Sequence, residues 1–186
     1  MRKYFGAKTI LYPMPVLVIG TYDADHTPNA MNAAWGGIHD TNQIGVCLSA
    51  GHKTTKNLLA NGAFSVSMAD AAHVREADYI GLVSANDVPD KLVRVGLHAS
   101  PCESVDAPCF DEFPLTLECR VVRYDDASGY LIGDIVNVSA DARILGEDGK
   151  IDADKLAPIT FDPVANTYRA LGGVVGHAFS DGLALK

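Results

Sequence analysis

Two hydroxyls and two ammonium groups fall within one turn of chain in Ser49-Ala50-Gly51-His52-Lys53-Thr54-Thr55-Lys56-Asn57. The segment lies between an apolar run and a short helical pattern that stops at Asn61-Gly62. A helix N-terminus presents unpaired backbone N–H groups and the positive end of the helix dipole, which together favour an anion. Lys53, Thr54, Thr55 and Lys56 beside such a terminus make the parts of a phosphate cradle. In a chain of formal net charge -8, this local cationic anchor points to one small anionic ligand. The other reading is that Thr54 only caps a surface helix whose lysines are solvated. The segment taken alone leaves both open.

The pattern is not a Walker loop, since no Gly-x-x-x-x-Gly-Lys-Ser/Thr is present, and no Gly-x-Gly-x-x-Gly follows any apolar run. A nucleoside triphosphate or a Rossmann-bound dinucleotide is therefore disfavoured. A second stretch, Pro28-Asn29-Ala30-Met31-Asn32-Ala33-Ala34-Trp35-Gly36-Gly37, combines two amides, small side chains and the single tryptophan. Small residues let a flat ring approach the backbone, and amides read its polar edge, so the stretch has the makings of a wall for a planar ligand. Its plainer reading, preferred on residue type alone, is a strand with Met31, Ala33 and Trp35 facing the core and Asn29 and Asn32 in turns.

The elements that must position these residues read mostly with period two. Strands are expected over Val16 to Tyr22, Ile44 to Ser49, Ala63 to Met68, Leu115 to Tyr124 and Tyr130 to Val138. Asp23 to Pro28 reads as the turn of a hairpin after the first strand, and Asp125 to Gly129 as the turn joining the last two. Thr54 to Ala60 reads as a helix with Gly62 at its left-handed C-cap, and Asp70 to Ile80 as another with Asp70 as N-cap and Gly81 as terminator. Single turns of helix are expected over Asp87 to Leu92, Asp152 to Leu156 and Pro163 to Leu171. Antiparallel strands interrupted by short helices predict a closed or partly closed barrel, because a parallel sheet needs a crossover helix after nearly every strand.

With 186 residues, 48% of them hydrophobic, and no repeat or dividing linker, the chain reads as one domain spanning 1–186. The acidic balance, with a pI near 5.1, speaks against a nucleic-acid surface. No apolar run approaches a membrane span, and the N-terminus lacks a signal-peptide pattern, so a cytoplasmic location is the expectation. Of the four cysteines, Cys47 and Cys119 read as buried thiols in strands, and Cys102 and Cys109 as a pair flanking a loop. No spacing among them fits zinc or a thioredoxin motif, and redox activity of the loop pair is the less favoured reading for a cytosolic chain. His39, His73, His98 and His177 are scattered without ligand spacing, so no metal site is expected. Asp23, Asp25, Asp125 and Asp126 read as solvated turns, and Gly172 to His177 as a glycine loop.

The order of Pro13-x-Pro15, Asn29-Ala30-Met31-Asn32-Ala33-Ala34-Trp35, His52-Lys53-Thr54-Thr55-Lys56-Asn57-Leu58, Ala63-Phe64-Ser65-Val66-Ser67, Asp90-Lys91-Leu92, Pro114-Leu115-Thr116-Leu117-Glu118-Cys119 and Tyr168-x-x-Leu171-Gly172 resembles the flavin reductase-like family, and its flavoredoxin-type branch in particular. The resemblance implies a mainly β fold with short helices, an antiparallel, Greek-key-like FMN-binding split β-barrel that forms a homodimer. It places the isoalloxazine of FMN beside Asn29 to Trp35, with backbone groups of Asn32, Ala33 and Ala34 at its polar edge. Phosphate and ribityl chain would fall to Ser49, Ala50, His52, Lys53, Thr54 and Thr55. Lys91 looks like a family lysine that approaches the flavin and compensates charge on it; a solvated side chain after Pro89-Asp90 is the alternative. His52 stands where the family often has an aromatic residue or Arg. FMN carries its own redox chemistry, which accounts for a chain with no catalytic triad.

Three functions follow from this resemblance: an FMN-dependent reductase drawing on NADH or NADPH to reduce flavin or another small acceptor, a flavoredoxin-like electron carrier serving a redox protein, and a flavin-free binding barrel. Nothing in the chain selects between the two nicotinamides.

Overall fold

A computed structural model describes all 186 residues. After an exposed N-terminal segment come β1 (Met14–Pro15), β2 (Leu17–Tyr22), β3 (Pro28–Ala33), β4 (Gly36–Asp40) and β5 (Gln43–Cys47), then α1 (Lys53–Asn61) and β6 (Ala63–Met68). Two helices, α2 (Val74–Leu82) and α3 (Lys91–Arg94), precede the strands β7 (Ala99–Pro101), β8 (Pro108–Phe110), β9 (Leu115–Asp125) and β10 (Tyr130–Ala140). The chain continues through α4 (Ala153–Leu156), β11 (Ile159–Asp162) and β12 (Thr167–Ala170). No helix is long and apolar enough to cross a membrane.

Seven strands form one antiparallel sheet in the order β3-β2-β6-β9-β10-β5-β4. The sheet curls on itself. Leu17 and Ile19 of β2 share a buried cluster with Ile44 and Val46 of β5, from the opposite side of the sheet, and Phe64, Val66 and Leu131 fill the space between them. Gly36 of the edge strand β4 stands so close to β2 that an added Cβ would lie 2.9 Å from Leu17 Cδ1. Leu58 of α1 plugs this interior, while α2, α3 and β8 cover the other face of β2 through Val16, Val18, Ile80, Leu92 and Phe110. Because both faces are covered, all of β2 is buried, which explains why apolar residues dominate it.

Gly62 caps α1 at φ 70°, its N–H bonded to Leu58 O, as its position after Asn61 predicts. Other expectations need correcting. Residues 163–171 are not helical: Asp162 accepts from the N–H groups of Val164 and Ala165, turning the chain so that β12 pairs with β11. Asp70 caps a turn ahead of α2, accepting from the N–H groups of Ala72 and His73, and the helix itself begins at Val74 and runs through Gly81. Asn29 and Asn32 lie within β3 rather than in turns, and Trp35 is 56% exposed instead of facing the core. Cys47 is exposed while Cys119 is buried, and Cys102 and Cys109 form a disulfide across the β7–β8 hairpin.

Candidate functional site

The N-terminus of α1 is the starting point. His52 is its N-cap residue, and no side chain caps the helix, so its first-turn N–H groups are left for an outside acceptor. The two threonines turn inward. Thr55 donates to Ser49 O at 2.8 Å, tying the exposed Ser49–Gly51 loop back onto the helix, and buried Thr54 accepts at 2.8 Å from Asn29 Nδ2. Lys53 is paired with Asp23, Nζ to Oδ2 at 2.9 Å, so Asp23 belongs to the site and is not a solvated turn residue. Burial alone would raise the Asp23 pKa, but hydrogen bonding with Asp25, Lys53 and the Thr27 N–H holds it down to about 2.

A cavity of about 230 Å³ opens beside this terminus, lined by Asn29, Met31, His52, Lys53, Thr54 and Lys91 together with residues 80–85 at the end of α2. Lys91 is buried, which overturns the solvated alternative. Its ammonium donates to Ile80 O at 2.9 Å and Val83 O at 3.0 Å, supplying the positive charge that the last turn of α2 lacks among its own residues. Desolvation first, and the charge of Lys53 second, push its pKa down to about 8.

The remaining expected residues surround neighbouring spaces. Asn32, Ala33 and Ala34 line a cavity of about 200 Å³ with Val16, Phe161 and Tyr168, and Asn32 Nδ2 donates to Ala77 O at 2.9 Å. Tyr168 OH donates to Asp78 at 2.7 Å, which joins β12 to α2 behind this space. Ala34 and Trp35 border a larger apolar groove of about 480 Å³ between the N-terminal segment and β4–β5. Ser49, Ala50 and Thr55 stand outside all three linings. Asn29, His52, Lys53, Thr54 and Lys91 therefore meet at one cavity, and Asn32 to Trp35 border the next two along β3.

Sequence reasoning missed Met31, Asp23 and the Gly81–Ala85 turn. The first reads as a core methionine and the last as a helix stop. Only the Asp23-Ala24-Asp25 turn, an acid pair near a lysine in space but thirty residues apart in sequence, carried a signal, and it is invisible without the β2–β3 hairpin.

The donor set fits FMN. An uncapped helix end with Lys53 suits a phosphate, and Asn29 Oδ1, buried without a hydrogen-bond partner, is an acceptor waiting for a donor of the ligand.

Residues 9–161 match the family model described as the flavin reductase like domain. No curated protein matches the chain. Among solved structures, flavoredoxin of Desulfovibrio vulgaris (Miyazaki F) is 39% identical, with 98% of this chain and 100% of that chain covered and a TM-score of 0.93. Flavoredoxin from Methanosarcina acetivorans is 28% identical over the full length of both chains, with a TM-score of 0.89. The FMN-binding domain of a flavin reductases-like enzyme from Shewanella baltica OS155, at 18% identity, TM-score 0.78 and 88% coverage of both chains, shares the split-barrel fold. The curled antiparallel sheet, the helix end beneath it and these likenesses agree: the chain belongs to the flavin reductase-like family, on its flavoredoxin-type branch.

Proposed function

We propose that the protein binds FMN and uses it to carry electrons from NADH or NADPH to flavin or another small acceptor. The observation that carries this reading is the meeting, at one cavity, of an uncapped helix N-terminus, Lys53, buried Lys91 and an unpartnered acceptor on Asn29. Bound FMN supplies hydride and single-electron chemistry, so the chain itself needs only to bind, orient and tune. The N–H groups of α1 and Lys53 would hold the phosphate, and Thr55 ties the adjoining Ser49–Gly51 loop to the helix. Lys91, fixed by two carbonyls, would hold a positive charge at the cavity and offset negative charge on a bound flavin. Asn32 to Trp35 offer the ring its backbone edge. The protein is proposed to work in the cytoplasm as a homodimer.

The purified protein should be yellow, or take up added FMN, and anaerobic NADH or NADPH should bleach it. Failure to take up FMN would overturn the reading and leave a flavin-free binding barrel. A second reading has its own support: the 39% identity to a flavoredoxin over 98% of the chain favours an electron carrier that serves a redox protein. Bleaching by dithionite or a reduced protein partner, but by neither nicotinamide, selects that one.

A further inference from the structure

Asn29 sits within β3 and is 3% exposed. Its amide nitrogen faces the protein, donating to Thr54 Oγ1 at 2.8 Å and to Thr21 Oγ1 at 3.4 Å. Thr21 Oγ1 also accepts from Asn57 Nδ2 at 3.2 Å, so β2, β3 and α1 together fix the plane of the Asn29 amide. Its other end, Oδ1, is the one buried side-chain polar atom of the molecule with no hydrogen-bond partner. Leaving such an atom unpaired costs about 1–3 kcal/mol. Asn29 lines the 230 Å³ cavity, and with its nitrogen engaged by Thr54 and Thr21 the oxygen is the end of the amide without a partner.

The chemistry of the neighbours decides what donor belongs there. A phosphate dianion has no hydrogen to give and is repelled by an acceptor oxygen, and the α1 terminus with Lys53 already serves it. The Asn29 amide is bonded to the first turn of α1, so in the proposed site it would stand next to the phosphate end and away from the far edge of the ring, where the flavin N–H lies. Between phosphate and ring a flavin has three hydroxyls. We infer that Asn29 Oδ1 accepts a hydrogen bond from a ribityl hydroxyl, so that Asn29 reads the polyol chain and is not a wall of the ring. The inference rests on the proposed FMN site and assigns to it a part that selects flavins by their side chain.

Equilibrium titration by flavin fluorescence tests this with three probes: FMN, riboflavin, which lacks the phosphate, and lumiflavin, which lacks the whole chain. Asn29→Leu should weaken FMN and riboflavin alike by about tenfold, the worth of one buried hydrogen bond, and leave lumiflavin unchanged. Asn29→Asp keeps an acceptor oxygen and adds a charge, so it should weaken FMN more than riboflavin; it also serves if Asn29→Leu does not fold. An equal loss for all three probes, or no loss for any, overturns the inference while wild-type FMN binding leaves the proposed function standing. Wild-type protein that binds no FMN overturns both.

Discussion

Lys53 brings its charge to the cavity in company with Asp23, and the pair has two consequences for an arriving phosphate. The cation is partly neutralised in advance, and removing it leaves the Asp23 carboxylate without its partner beside the phosphate position. Lys53→Ala should therefore weaken FMN by more than the loss of one cation, roughly tenfold or more, and Asp23→Asn should restore part of that loss in the double variant. Flavin fluorescence titration of the four proteins measures the coupling; identical affinities for wild type and Lys53→Ala would remove Lys53 from the site. Lys91 adds a pH dependence. Its ammonium loses its proton near pH 8 in the folded chain and near 10.5 in the unfolded one, so between those values the unfolded chain binds the proton and the folded chain does not. Stability relative to a Lys91→Met variant should rise from pH 8 to 10.5 in denaturant titrations. FMN affinity moves oppositely, falling in the wild type as pH climbs through 8 because the cation disappears, and staying flat in Lys91→Met. Parallel pH profiles for the two proteins would show that Lys91 does not titrate in this window.

Elements whose side chains alternate or run apolar were legible, and an exposed edge element was hidden. Ala63 to Met68 and the β9–β10 hairpin alternate over their length, and the structure begins and ends them within two residues of the sequence reading. The bounds of α1 were legible because Gly62 marks its end and lysines mark its beginning. β4 left no signal, since Gly36-Gly37 opens it and it lies exposed along an edge, without a buried face to impose a period. Trp35 misled for the same reason: a large aromatic side chain argues for burial, and only the curl of the sheet shows that it borders a groove. The β7–β8 hairpin was read only as a loop. Its disulfide closes seven residues of separation, and the loop is held independently by Ser104 N–H donating to buried Glu118 and by Ser65 Oγ donating to Pro108 O. A Cys102→Ser/Cys109→Ser protein should then lose about 2 kcal/mol of stability, the loop-entropy contribution, while keeping its FMN affinity. An unchanged denaturation midpoint would mean the crosslink constrains nothing in the unfolded chain, and a collapse of FMN binding would mean the hairpin supports the site.

At the scale of the molecule, the sheet is curled but not closed, and part of the exposed apolar surface lies on its strands. Trp35 and Ile38 stand exposed on and beside the free edge strand β4, and Val136 and Val138 are exposed on β10. The terminal segments add Phe5, Leu11, Val174, Val175 and Phe179, all of them exposed. A single copy leaves this surface and an unpaired strand edge to water, the arrangement that favours association. Burying it against a second copy satisfies both features through one isologous contact, and it would enclose the groove beside Trp35 next to the Asn32–Ala34 end of the proposed ring site. Light scattering should therefore give a dimer at micromolar concentration, and Ile38→Lys combined with Val138→Lys should shift it to monomer. If the proposed ring site is completed by the contact, the same variant should hold FMN more weakly while lumiflavin, which binds through its ring alone, loses at least as much. A wild-type monomer at all concentrations would overturn the dimer, and a monomeric variant with undiminished affinity for both flavins would separate assembly from cofactor binding.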